Sequence, residues 1–124
     1  MSALTEGQHT GEFILSEAPG TLSRDTVTVD VPANTTLEAG TVLGQLSGTG
    51  HYAPFDETNS DGSETAAGIL VGELVNDTDA VDAQEAVLLN LMAEVRADDL
   101  VWGDGVDEDA GLADLLALGI KARD

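Results

Sequence analysis

Short apolar runs set between glycine-rich turns, one of them alternating with a period of two, predict a mainly β protein. The alternating run is Thr26-Val27-Thr28-Val29-Asp30-Val31, which gives a strand one buried and one wet face. Pro32-Ala33-Asn34-Thr35 supplies turn residues and ends it. Thr41-Val42-Leu43-Gly44-Gln45-Leu46, entered through Gly40, predicts another strand. The Asn-, Ser-, Asp- and Gly-rich stretch from Asp56 to Ser63 predicts a loop. Thr65 to Val71 is a small-residue apolar run that fits either a buried strand or a helical turn, because period alone does not separate them. Ala86 to Leu91 predicts a strand, with Glu94-Val95-Arg96 extending or following it. Asp99 to Trp102 is a short segment that stops at Gly103.

Only the tail has helical spacing. Leu112, Leu115, Leu116 and Ile120 recur at i, i+3, i+4 and i+8, predicting a helix over about residues 107–118 with Leu112, Leu115 and Leu116 packed inward. Asp104 or Asp107 suits the N-cap, Gly119 suits the stop, and Gly111 is expected to weaken the first turn by about 1 kcal/mol relative to alanine. At the other end, Met1 to Gly11 is polar and aperiodic. It predicts a flexible N-terminal arm (1–11) ahead of a single domain over 12–124. Phe13-Ile14-Leu15 is an apolar run, followed by a Pro19-Gly20 turn.

Composition sharpens this picture. The chain has 124 residues, enough for one domain with a real core, and 42% of them are hydrophobic, too many for a disordered acidic chain. Aromatics are only 3%, so the core must be aliphatic. The 24 acidic residues face four basic ones, Arg24, Arg96, Lys121 and Arg123, for a net charge of -20. Such a balance disfavours nucleic acid and anionic lipid as partners, since both are held by Lys and Arg clusters. No apolar run is long enough to span a membrane, and the N-terminus lacks the basic and apolar regions of a signal peptide. With no cysteine, disulfides, thiolate metal sites and cysteine nucleophiles are excluded.

Candidate chemistry was tested against its geometric requirements. Gly48-Thr49-Gly50-His51-Tyr52-Ala53 fits a dinucleotide-binding spacing, but that site needs a helix to start at the glycines. Pro54 and the following loop deny it one, so the segment is expected to be a turn between strands. Calcium loops starting at Asp56, Asp77 or Asp104 fail at required ligand or glycine positions. His9 and His51 are too far apart in sequence to suggest a metal pair. Asp98-Asp99 and Asp107/Asp109 are pairs of acids of the kind any chain this acidic displays. The expectation is a protein that is not an enzyme, with no catalytic residue, cofactor or metal.

Several of these segments, taken in order, resemble the head decoration proteins of tailed, lambda-type phages. The resemblance begins with Glu12-Phe13-Ile14-Leu15-Ser16-Glu17-Ala18, Gly20, Ser23-Arg24 and Thr26-Val27-Thr28-Val29. It continues through Ala39-Gly40-Thr41-Val42-Leu43-Gly44, then Tyr52, Pro54 and Asp56. Asp61-Gly62-Ser63 running into Thr65-Ala66-Ala67-Gly68-Ile69-Leu70 is its most telling part, and Glu94-Val95 with Leu100-Val101-Trp102 closes it. Where the family often has proline after the tryptophan, this chain has Gly103.

The resemblance implies a small β-clip-like domain with a C-terminal helix and a mobile arm, assembling as a homotrimer. Trimers of the family sit at local threefold axes on the outside of the expanded head and fasten the major capsid protein against internal DNA pressure. The implied location is the outer capsid surface of a virion, after synthesis in the host cytoplasm. An arm followed by Phe13, Ile14, Leu15 and Ser16 suits strand addition to a capsid partner, and Leu100 and Trp102 are the candidate trimer contacts. For Trp102, core packing is the first reading and the trimer contact the second. Two other readings stay open: a hydrolase using surface carboxylates, and a non-enzymatic β-clip-like adaptor whose acidic surface recruits a basic partner.

One expectation rests on charge alone. Fourteen Asp, ten Glu and a single Lys make a balance that resembles proteins adapted to concentrated salt, though a merely solubilising acidic surface has the same composition. The carboxylates repel one another in every compact state. Screening shortens their reach from ~10 Å at 0.1 M salt to ~3 Å at 1 M. The melting temperature should therefore rise steeply between ~0.05 and ~1 M sodium chloride, with divalent cations acting at lower concentration. A melt that stays flat or falls over that range refutes salt adaptation.

Overall fold

The alternation at Thr26–Val31 becomes the inner part of β2 (Arg24–Val31), with Val29 and Val31 fully buried. The computed structural model describes residues 13–17, 24–103 and 105–123. The arm, the Pro19-Gly20 turn and the Asp104 cap candidate lie outside the described residues.

Ahead of β2 runs β1 (Ile14–Glu17). After it come β3 (Thr35–Leu37), β4 (Val42–Gln45), β5 (Tyr52–Pro54), β6 (Ala66–Leu70) and β7 (Leu74–Asn76). The chain then forms β8 (Asp82–Leu89), β9 (Ala93–Arg96), the helix α1 (Glu108–Ala117) and β10 (Ile120–Arg123). Strands β2, β5, β4, β6 and β8 close into a barrel in that order, and β3 pairs with β7 beside it. A three-stranded sheet, in the order β1-β9-β10, packs on the same core: β9 is central, with β1 antiparallel on one side and β10 parallel on the other. The protein is mainly β with one C-terminal helix, as its pattern predicts.

Thr65–Val71 resolves as a strand because its small residues admit close neighbours. A Cβ at Gly68 would lie 2.7 Å from Leu88 Cγ, so only glycine lets β6 pass beneath that side chain. Glu94-Val95-Arg96 follows rather than extends the previous strand: Met92, at φ 48°, reverses the chain first. Asp99 ends a 3₁₀ turn (Ala97–Asp99) instead of starting a strand, and Val101 forms an isolated parallel bridge with Thr41.

Buried side chains form two clusters. Val29, Val31, Leu37, Leu43, Leu70 and Leu88 fill one. Phe13, Val42, Phe55, Ile69, Leu89, Val95, Leu100, Leu115 and Ile120 belong to the other, which joins barrel, sheet and helix. Asn76 is a buried polar residue whose amide donates to the carbonyls of Val31 and Ala80, both at 2.9 Å, while its Oδ1 accepts from the Thr78 hydroxyl at 2.6 Å. It ties the end of β2 to the turn before β8.

The helix needs two corrections. Ile120 does not continue the apolar stripe; Gly119, at φ 86°, ends the helix and Ile120 opens β10. Leu116 does not pack inward: it is 60% exposed, whereas Leu115 is 1% exposed. The stripe holds only one fully buried leucine because the helix lies against β6 and β10 along a narrow line. Asp107 is the N-cap, its carboxylate accepting from Ala110 N at 3.2 Å. Gly111 has a packing role that its propensity hides, because a Cβ there would run into the Trp102 ring.

Leu115→Ala should therefore cost about 2–5 kcal/mol of unfolding free energy, the usual range for a buried leucine. Leu116→Ala should stay within about 0.5 kcal/mol, as surface changes generally do. Denaturant melts of the two variants give the comparison, and equal losses would contradict the helix orientation.

Candidate functional site

Phe13 to Ser16, the candidate partner-binding residues, divide by face. Phe13 is wholly buried in the larger core cluster, and its carbonyl accepts from Arg96 N at 2.8 Å. Ile14 is half-buried opposite Val95. Two residues of β1 span one of β9 between Ile14 and Ser16, leaving Leu15 as an exposed bulge residue. Ser16 is exposed opposite Glu94. Phe13 thus anchors β1 to its own domain and offers a partner no side-chain surface. What remains accessible is the outer edge of β1, which no described strand covers. Such an edge displays unpaired N–H and C=O groups and is a ready template for strand addition.

Leu100 and Trp102, the candidate trimer contacts, both pack within the domain. Leu100 is buried. The Trp102 ring meets Phe55 edge-to-face, with centroids 5.9 Å apart and planes at 74°, and covers Gly111. Trp102 is half-buried, so core packing accounts for most of its surface.

The glycine motif at Gly48–Ala53 is a turn. Gly50 has φ 78°, Leu46 N donates to the His51 carbonyl at 2.7 Å, and β4 and β5 pair on either side. His51 Nδ1 lies 2.8 Å from Asp30 Oδ1 and clips this turn to β2. Among the described residues no group of three His, Cys, Asp or Glu is placed to hold a metal ion. Nor, among them, is any helix long and apolar enough to cross a membrane.

The acidic loop is bound to its own backbone. Asp61 Oδ1 accepts from Ser63 N at 3.0 Å and from the Ser63 hydroxyl at 2.6 Å, and Asp56 Oδ1 does the same for Thr58 at 2.9 and 2.6 Å. These side-chain and backbone donors hold both carboxyls below the usual aspartate range. Gly62, at φ 111°, presses on the end of β4, where a Cβ would run into the Gln45 carbonyl and fall 2.7 Å from Ser47 N just beyond the strand. The Asp-Gly-Ser turn is therefore a packing device.

The telling residues of this chain are thus fold-makers, and they lie within the stretch that a family model matches. The model for bacteriophage lambda head decoration protein D matches residues 3–120. The chain belongs to this family. Its members are structural head components rather than enzymes. A search of the curated proteins gives no match.

Among functional features, sequence reasoning missed the clustering of cations. Arg96, Lys121 and Arg123 come together on the outer face of β9 and β10 because β10 runs parallel to β9 in register. Their spacing in sequence carries no such signal.

The loop also has a pH signature. A carboxyl whose folded pKa is lowered contributes stability above its unfolded pKa and loses it as pH falls toward the folded one. Asp61→Ala should lower the melting temperature at neutral pH and flatten its fall between about pH 5 and about pH 2, the carboxylate range. Parallel acid-side curves for wild type and variant would contradict the assigned role.

Proposed function

We propose that this chain is a capsid decoration protein that adds to the outside of the expanded phage head and cements it. The single observation that carries this is the family match over residues 3–120. In this reading homotrimers sit at local threefold axes, bind the major capsid protein and stabilise the shell against internal DNA pressure. The fold supports it physically. A cementing protein needs a rigid body, free backbone edges and contact area, and the described residues supply a barrel with an attached sheet whose β1 and β10 edges are open. Neither nucleic acid nor membrane enters as a partner, in keeping with the net charge of -20.

Residues 1–11 act as an arm that orders on the head, adding strand pairing next to β1. Ordering costs about 1–2 kcal/mol per residue, so the arm needs main-chain bonds to repay it. Three chains carry -60 in all, three times -20, so the trimer contacts must be apolar and turn carboxylates outward.

Purified empty expanded capsids of the phage that encodes this chain test the function directly. They should take up the protein to a saturating, threefold-related stoichiometry and resist disruption better afterwards. Sedimentation at moderate salt should give a trimer mass; a monomer at every concentration refutes pre-assembly. The arm is tested by deleting residues 1–11, because a longer deletion reaching Leu15 also removes the core side chain of Phe13. That truncation should keep the wild-type melt and lose capsid uptake. Full uptake by the truncated protein contradicts the arm's role.

A further inference from the structure

We propose that the outward face of the β1-β9-β10 sheet, centred on Lys121, is the surface that docks on the head. Its occupant is an extended capsid-protein segment that brings a carboxylate flanked by apolar side chains. The inference rests on the decoration function proposed above and adds the surface and the chemistry of what lands there.

Alternation sorts the sheet's side chains. Ala93, Val95 and Ile120 point into the core, while Ser16, Lys121 and Arg123 face out beside Glu94 and Arg96. Three of the four basic residues in the whole chain therefore share one face. Arg123 Nε meets Glu94 Oε1 at 2.7 Å, and Arg96 Nε lies 3.5 Å from Asp99 Oδ2. Lys121 forms no ion pair among the described residues. On a body of charge -20 this is a place where an acidic group can approach a cation that no described residue pairs with.

Apolar surface adjoins the same lysine. A groove of about 420 Å³ runs between Ser16, Met92, Gly119 and Lys121, and a second of about 190 Å³ lies between Leu112, Leu116 and Lys121. Met92 is 57% exposed and Leu116 60%, so two of the largest exposed apolar side chains flank the cation. Isolated exposed hydrophobes are ordinary, but these border grooves and open strand edges. The edges fix the shape of the occupant: an extended segment finds main-chain partners along β1 or β10 while its side chains enter the grooves. Because β1 continues from the proposed arm, a capsid segment paired with that arm reaches this face next. That continuity favours the capsid over a second copy of this chain.

The experiment is a binding titration of full-length variants onto empty expanded capsids, with melting curves and sedimentation on each. Lys121→Glu and Met92→Asp should each weaken uptake by at least about tenfold, the scale of losing a charge-assisted or central apolar contact. Lys121→Arg should bind like wild type. Val81→Asp, at the opposite end of β8 from Met92 and 65% exposed, should also bind like wild type. Melts and trimer mass should be unchanged throughout; should Lys121→Glu lower its melt, Lys121→Gln replaces it and should still weaken uptake. Wild-type protein that ignores capsids overturns the decoration function itself. Wild-type uptake with undiminished binding by both Lys121→Glu and Met92→Asp overturns this face alone. A change in trimer mass with normal capsid uptake assigns the face to a second copy, and so also overturns the proposal.

Discussion

The fold depends on a strand that begins with almost no side chains. β6 runs Ala-Ala-Gly-Ile-Leu between β4 and β8, and its first three residues are small enough for neighbours to close in on both sides. Leu88 occupies the space over Gly68 where a side chain would stand. From the helix, Asp114 Oδ2 accepts from Ala66 N at 2.9 Å, fastening α1 to the start of the strand. The last two residues then point opposite ways, Ile69 into the larger core cluster and Leu70 into the smaller. A side chain at Gly68 would meet Leu88 first, so β6 and β8 could not lie this close. The close approach serves the barrel, and the Asp114 bond fixes the helix to the same strand.

Charge sets the second constraint. With -20 on 124 residues, most of the surface is mutually repulsive, and apolar burial opposes it. The core does so with aliphatic side chains, and the two phenylalanines and one tryptophan gather where barrel, sheet and helix meet. Some of the acids in the loops are used locally. Asp61 and Asp56 accept from their own loop, Asp107 caps the helix, and the Asp107 N–H in turn donates to Glu57 at 2.8 Å. Each such bond satisfies a backbone donor that would otherwise be unpaired, so part of the acidity serves the fold itself.

Legibility in the sequence follows the range of the interaction. β2, β4 and the helix were readable because their signals are local, a period or a cap within a few residues. Asp107 and Gly119 show this at the two ends of α1. β3, β5, β7 and β10 were not readable. They are three or four residues long and exist through long-range pairing, such as Thr35 with Asn76 and Ile120 with Ala93. Leu116 misled because a helical stripe gives a face but not its width, and the width is set by how closely β6 and β10 approach. Gly111 misled in the other direction. Propensity counts it as a weakness, yet Trp102 occupies the position its Cβ would need.

The residues that disclose the family and those that would meet a partner are largely different sets, for a physical reason. Gly62, Gly68 and Ser63 are recognisable because backbone conformation or contact distance leaves little choice of side chain there. Such constraints leave a pattern that sequence alone displays. Lys121 and Leu116 are under no such constraint, and at Met92 only the backbone is constrained: all three side chains face solvent, and the fold would accept many others there. What brings them together is the parallel register of β10 on β9 and the turn at Met92, both decided by contacts distant in sequence. A surface made this way carries no motif. It becomes visible only when the strands are in place and the few cations of an acidic chain are found sharing one side of one sheet.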